Sequence, residues 1–193
     1  MQPDQGTDAA DAYLRSAKQL FERGEFQLAA EQLNALIAAV PHHAMAYFEL
    51  TRCLRILNRH DEALTILQRG LSYAPNHPDG RNWLATILVD LGRFDEAKTV
   101  YRDLIRRWPN YGTAYCGLAS VQRLGVDDPE VAAMEHMLEQ TPIADQERSN
   151  LHFALGRVYD QSADYDRAFE HYRRGNTLRR GLHDYDLAAE RES

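Results

Sequence analysis

The sequence predicts an all-α fold, an α-solenoid of about five stacked helical hairpins with the fourth irregular. Three observations predict it. First, Pro41, Pro75 and Pro109 stand 34 residues apart, and Ala29, Ala63 and Ala97 keep the same step. Phe26, His60 and Phe94 do too, as do Leu50 and Leu84. Fixed self-similarity at that period marks units that bury their apolar faces only against neighbours. Second, Leu91-Gly92-Arg93-Phe94-Asp95-Glu96-Ala97 reads as a helix end, a tight turn and a helix start. Leu88 and Leu91 close an apolar face, and Gly92 suits the left-handed conformation after a helix. Asp95 puts a carboxylate in a first turn, where the helix dipole favours it. Third, small residues recur where two helices must approach. They are Ala17, Thr51, Ala85, Ala119 and Gly156 in the first helices, and Ala29, Ala63, Ala97 and Ala168 in the second.

Taken in order, residues 1–8 are expected to be a disordered tail and 9–182 the repeat domain. The first hairpin covers about 10–43, with helices at 8–23 and 27–40 broken at Gly24. The second covers 44–77 and turns at Asn58-Arg59-His60, and the third covers 78–111 and turns at Gly92. Each ends at its Pro, which cannot continue a helix. The fourth, 112–148, has a regular first helix at 112–124, then Gly125-Val126-Asp127-Asp128-Pro129 in place of the turn. Asp128 is expected to cap the helix 130–140, with Pro129 at its first position and Val131, Met134 and Leu138 on one face. The fifth, 149–182, starts three residues late, with helices at about 145–162 and 165–180. Gly181 is expected to stop it, with Asp186 capping a short new helix. Residues 183–193 then form a tail or a truncated linker to a further domain.

The residues within each unit resemble a known family. Tyr47, Leu50, Thr51, Leu54, Ala63, Leu67 and Pro75 form one unit, and Arg81, Leu84, Ala85, Leu88, Ala97, Tyr101 and Pro109 the next. His152, Leu155, Gly156, Tyr159, Ala168 and Tyr172 form a later one. Together they resemble tetratricopeptide repeats (TPR). The resemblance implies a right-handed superhelix whose first helices line a concave groove. It also implies that Phe26, His60, Phe94 and Tyr165 plug the hairpin turns. A narrower resemblance covers the end: His152-Phe153-Ala154-Leu155-Gly156-Arg157, Asp164 to Tyr172, Gly175-Asn176-Thr177-Leu178-Arg179-Arg180 and Asp184-Tyr185-Asp186. It is similar to the last repeat of bacterial TPR–sulfotransferase proteins, and implies an array that precedes a catalytic domain. The phosphosulfate donor of that family needs a Gly/Ser/Thr-rich loop after a strand. This sequence offers none, so no catalytic residue is carried over.

Composition bounds the function. The net charge of −7 gives no global basic field for nucleic acid or an anionic membrane. Two cysteines, Cys53 and Cys116, make no disulfide framework and suit a reducing cytoplasm. The first residues lack a signal-peptide core, and no apolar run is long enough to span a bilayer. No cofactor or metal is expected: His42, His43 and His77 lack ligand-spaced partners and read as loop filling. Cys53, Trp83 and Trp108 read as packing residues, and Cys116 as facing the groove. The carboxylates are scattered, with no acid–base pair.

What remains is a surface. Lys18, Arg52, Thr86, Ser120 and Arg157 occupy one inward row, and Phe21, Arg55, Val89, Arg123 and Asp160 its neighbour. Lys18, Arg52, Arg55, Asn82, Arg123 and Arg157 are therefore the candidate groove residues. They suit a protein or peptide partner, an acidic one in particular, held by charge-assisted bonds. The plainer reading is a solvated face with ion pairs to Glu22, Glu49 or Asp90. The expected function is a non-catalytic interaction or scaffold module. The alternative is the acceptor-positioning region of a sulfotransferase. Self-association through the end repeats is a third outcome, since solenoids need polar caps.

Overall fold

The computed structural model describes residues 5–140 and 142–192, with side chains described over 10–140 and 142–182. The described residues form helices and connecting turns, with no strand among them. In order they are α1 (Gln5–Glu22), α2 (Phe26–Ala39), α3 (Ala44–Ile56), α4 (His60–Tyr73) and α5 (Pro78–Asp90), then α6 (Phe94–Arg107), α7 (Gly112–Val121), α8 (Pro129–Gln140), α9 (Asp145–Gln161) and α10 (Tyr165–Glu192). The chain divides into two compact units, the first ending at Arg93 and the second beginning at Phe94.

In the first unit, α2 packs on α1 and α3, and α4 on α3 and α5. The small residues that the sequence repeats are buried among these packed helices. Ala17, Thr51 and Ala85 are sealed in the first helices, and Ala29 and Ala63 in the second. Leu33, Leu36, Leu50, Leu67 and Ile87 fill the space around them. Phe48 is completely buried at the centre. It meets Trp83 edge to face, with centroids 5.7 Å apart, so Trp83 packs as the sequence suggests. Gly70 and Gly80 leave room for the Phe48 ring, since a Cβ on either would stand 3.0 Å or less from it.

In the second unit, α9 packs on both α7 and α10, with α6 against α7 and α8 against α9. Leu104, Leu118, Met134, Leu151 and Leu155 are its sealed core. The small-residue rule holds: a Cβ on Gly156 would lie 2.8 Å from the Tyr172 ring.

Four hairpin turns share one backbone solution. Gly24, Asn58, Gly92 and Ala163 all adopt positive φ, between 57° and 79°. At Gly92 the N–H donates to the Val89 carbonyl, and Arg93 N–H donates to the Leu88 carbonyl at 2.7 Å. The same pair of bonds closes the turns at Gly24, Asn58 and Ala163. This is the Schellman pattern, which satisfies carbonyls that the helix end leaves open.

Several expected boundaries shift. α1 begins at Gln5, so the expected tail is helical from Gln5, and 1–4 lie outside the described residues. α7 stops at Val121, because Gln122 turns extended and the chain buries Leu124 instead. Asp128 precedes Pro129, but its carboxylate turns back to accept from Gly125 N–H at 2.9 Å. The buried face of α8 is Val131, Met134 and Met137, with Leu138 only half-buried. Gly181 does not end α10, nor does Asp186 start a new helix. Gly181 lacks the positive φ of the true turns, and the helix formers that follow outweigh its cost of about 1 kcal/mol. Phe94 and Tyr165 do not plug their turns: 49% and 66% exposed, they open the second helices and point to solvent.

The turns yield a stability prediction. Ala163 pays for a left-handed backbone that Gly adopts freely, so Ala163→Gly should stabilise by about 0.5–1 kcal/mol. Gly92→Ala should destabilise by a similar amount. Urea unfolding of both variants checks this, and shifts of the same sign would refute it.

Candidate functional site

In the first unit, α1 and α3 bring Lys18, Phe21 and Arg52 to one open face. Glu49 lies one turn before Arg52 and is almost fully buried. Arg52 Nη1 donates to Glu49 Oε2 at 2.6 Å, and Lys18 Nζ lies 3.5 Å from Oε1. The Arg52 guanidinium also lies over the Phe21 ring, 4.3 Å from its centroid. Phe21 meets Phe26 edge to face at 5.1 Å. Lys18, Phe21, Glu22, Phe26, Arg52 and Ile56, the last 47% exposed, line an open cleft of about 520 Å³. Its walls are apolar rings and its rim carries two cations that share one carboxylate. Such a cleft suits an apolar side chain beside a polar backbone.

The other candidate cations have partners too. Arg55 Nε donates to Asp90 Oδ2 at 2.9 Å, tying α3 to α5. His60 Nδ1 lies 3.5 Å from the same oxygen without a hydrogen bond. Asn82 is half-buried, and its side chain makes no hydrogen bond among the described residues. Arg123 and Arg157 belong to the second unit. Arg123 Nη2 donates to the Gln161 carbonyl at 2.6 Å and so caps the end of α9. Arg157 Nη2 lies 3.5 Å from the Ser120 carbonyl, at the limit of a hydrogen bond. The plainer sequence reading, ion pairs to Glu49 and Asp90, thus describes the first unit.

The histidines serve structure. His43 Nδ1 accepts from Ala46 N–H at 3.3 Å, and His77 Nδ1 from Gly80 N–H at 3.2 Å. Both cap the N-termini of first helices, a role beyond loop filling. The signal was in the sequence: His43 and His77 hold the same repeat position, directly before a first helix. Cys53 is sealed, and burial pushes its thiol up to about 11. Burial also raises the half-buried Cys116 thiol, so neither is an activated nucleophile. Among the described residues no three potential ligands gather for a metal ion, and no helix is long and apolar enough to cross a membrane.

A pair that sequence reasoning missed lies inside the second unit. His152 Nδ1 and His171 Nδ1 are 3.0 Å apart, so one donates and the other accepts. His171 stacks on Tyr159, whose hydroxyl is bonded to Glu135. Burial, with His171 and Arg174 nearby, pushes His152 down to about 4. Burial lowers His171 as well. Nothing in the sequence pairs positions 19 apart on two helices.

Models described as tetratricopeptide repeat match residues 14–80, 54–120 and 151–189. An uncharacterized protein of Aquifex aeolicus (strain VF5) is 24% identical over 140 residues, 72% of this chain. The chain spans only 18% of that relative's length. Among solved structures, MamA from Desulfovibrio magneticus RS-1 superposes with a TM-score of 0.59 at 20% identity, covering 90% of this chain and 97% of that one. YrrB, described as a TPR protein with an unusual peptide-binding site, gives 0.56 at 16%, covering 97% and 98%. PilF of Pseudomonas aeruginosa gives 0.68 at 16%, covering 97% and 90%. At these identities the likeness is one of fold.

The histidine pair yields a pH prediction. Folded His152 stays neutral, whereas the unfolded chain takes up its proton below the ordinary value of 6.5. Its stabilising effect is complete above pH 6.5 and fades as pH falls towards 4. Stability should therefore drop by roughly 1–2 kcal/mol between pH 7 and pH 5. Urea unfolding at the two pH values checks this, with His152→Leu/His171→Leu expected to flatten the difference. An equal difference in that variant would refute it.

Proposed function

We propose, from the premise that this chain carries tetratricopeptide repeats over residues 14–120 and 151–189, that it is a non-catalytic module binding a peptide segment of a partner protein. The observation that carries this reading is the cleft of the first unit, with Phe21, Phe26 and Ile56 as apolar wall and Lys18 and Arg52 at the rim. An extended segment can rest one side chain on the rings while its backbone carbonyls meet the cations. The peptide-binding site named for YrrB, a protein of like fold, supports the reading.

A sulfotransferase-associated role is the finer alternative, in which the array positions an acceptor for a catalytic domain. It rests on the resemblance of the last repeat. Two residues of that resemblance, Gly156 and Gly175, have packing roles here: they make room for the Tyr172 and Phe153 rings. Self-association is supported by one observation. Tyr165 and Phe169, one turn apart on α10, are 66% and 70% exposed. Phe169→Glu should lower the solution mass if that face joins two copies, and leave it unchanged if the protein is monomeric.

The cleft reading is tested by selecting random short peptides against the protein and measuring their affinities. Arg52→Glu is a poor probe, because it would set a carboxylate beside buried Glu49. Ile56→Asp changes an exposed wall residue and should leave the fold intact within about 0.5 kcal/mol. It should weaken the selected peptides by about tenfold, since it charges an apolar wall. Unchanged affinity would remove the cleft from the binding surface.

A further inference from the structure

Many arginines of the second unit are already engaged: Arg102 lies 3.7 Å from Glu130, and Arg123 holds the Gln161 carbonyl. Arg106 and Arg107 close on Asp103, Arg167 on Asp164, and Arg173 and Arg174 on Glu170, each within one turn of its own helix. Arg157 and Arg179 have no carboxylate partner among the described residues. The Arg179 guanidinium of α10 lies over the Phe153 ring of α9, 4.3 Å from its centroid. Arg157, one turn beyond Phe153, reaches across to the Ser120 carbonyl of α7 at 3.5 Å. Burial raises the Cys116 thiol of α7 and the Tyr172 hydroxyl of α10, and the positive charge of Arg157 opposes both rises, joined at Cys116 by Arg179.

Phe153 carries the Arg179 guanidinium and stands one helical turn from Arg157, so two exposed cations flank a half-buried aromatic floor. Phe153 and Tyr172 form that floor, their centroids 6.4 Å apart. Gly156 and Gly175 let the two rings sit this deep: a Cβ would stand 2.8 Å from Tyr172 and 3.3 Å from Phe153. Asp160, also near Tyr172, pairs with neither arginine among the described residues. A guanidinium lying on a ring keeps its in-plane N–H fork free for a carboxylate.

We propose that Arg157 and Arg179 form a carboxylate site that takes an Asp or Glu side chain of a bound peptide, while an adjacent side chain of the peptide rests on Phe153 and Tyr172. The proposal rests on the peptide-binding reading and adds, within the second unit by itself, a site for an acidic side chain. The cations of the first unit are less suited to it. Lys18 and Arg52 share Glu49, and Arg55 holds Asp90, so a new anion there must compete with an existing one. An anion held by Arg157 and Arg179 displaces no carboxylate among the described residues and offsets two positive charges.

The test uses random short peptides displayed with a blocked C-terminus, selected against the intact protein. Asp or Glu should be enriched at one position of the selected set. A selected acidic peptide, made synthetically, should bind about tenfold more tightly than its Gln counterpart. In Arg157→Gln/Arg179→Gln the two peptides should bind equally, at the weaker level. Both arginines are exposed, and an unchanged circular dichroism melt establishes that the variant is folded. If no peptide is selected, the peptide-binding reading falls and this proposal with it. If peptides are selected without an acidic position, or the double variant keeps the tenfold preference, this proposal alone falls. A gain in affinity on freeing the C-terminus, with no Glu-to-Gln effect, would assign the site to a terminal carboxylate and overturn the side-chain assignment.

Discussion

Close approach of helix backbones at small residues is the constraint on which the rest depends. Ala29, Ala63 and Ala97 are completely sealed, as are Thr51 and Ala85 of the first helices. A well-packed contact of this kind has no spare volume, so a larger side chain must displace a helix or leave its rotamer. Helix spacing set this way decides where the larger side chains go. Phe48 enters only because Gly70 and Gly80 leave space, and Tyr172 only because Gly156 does. The aromatic floor of the second unit is thus a by-product of the same rule that builds its hairpins.

Charge is arranged just as locally. Many basic side chains find a carboxylate three or four residues away in sequence, as Arg59 does with Glu62 and Arg173 with Glu170. Exposed pairs of this kind contribute little to stability, but they occupy the arginine. Longer-range pairs such as Arg55–Asp90 tie one helix to another instead. A net charge of −7 therefore says little about where an acidic ligand meets the protein. The informative residues are those left over when the pairs are drawn.

Most of the fold was legible because its signals are local or periodic. The 34-residue step located the small residues, the prolines and three of the four tight turns. Asn58 and Gly92 announced left-handed turns, since both residue types tolerate that backbone. Ala163 did not, because its conformation is imposed by Asp164 N–H bonding to the Tyr159 carbonyl. Gly181 misled for the converse reason: a glycine permits a turn but does not require one. The site was legible in part. Rows of inward positions found Arg52, Arg55 and Arg157, and the plainer reading named Glu49 and Asp90 as partners, but Arg179 was missed altogether. Arg179 lies on a second helix, outside the groove-lining rows, and its place is fixed by the Phe153 ring. The histidine pair was out of reach, because burial of two rings against each other depends on how α9 meets α10.

The turn geometry has a consequence for how the chain acquires its structure. Each turn is closed by bonds spanning at most five residues, and within each unit the helices that touch lie near one another in sequence. Contacts of short sequence separation cost little loop-closure entropy, and chains built from them fold rapidly. A hairpin can form as soon as its second helix leaves the ribosome, then serve as a template for the next. Synthesis from the N-terminus thus follows the order in which surfaces become available to bury, and no strand edge is exposed while the chain waits for its remainder.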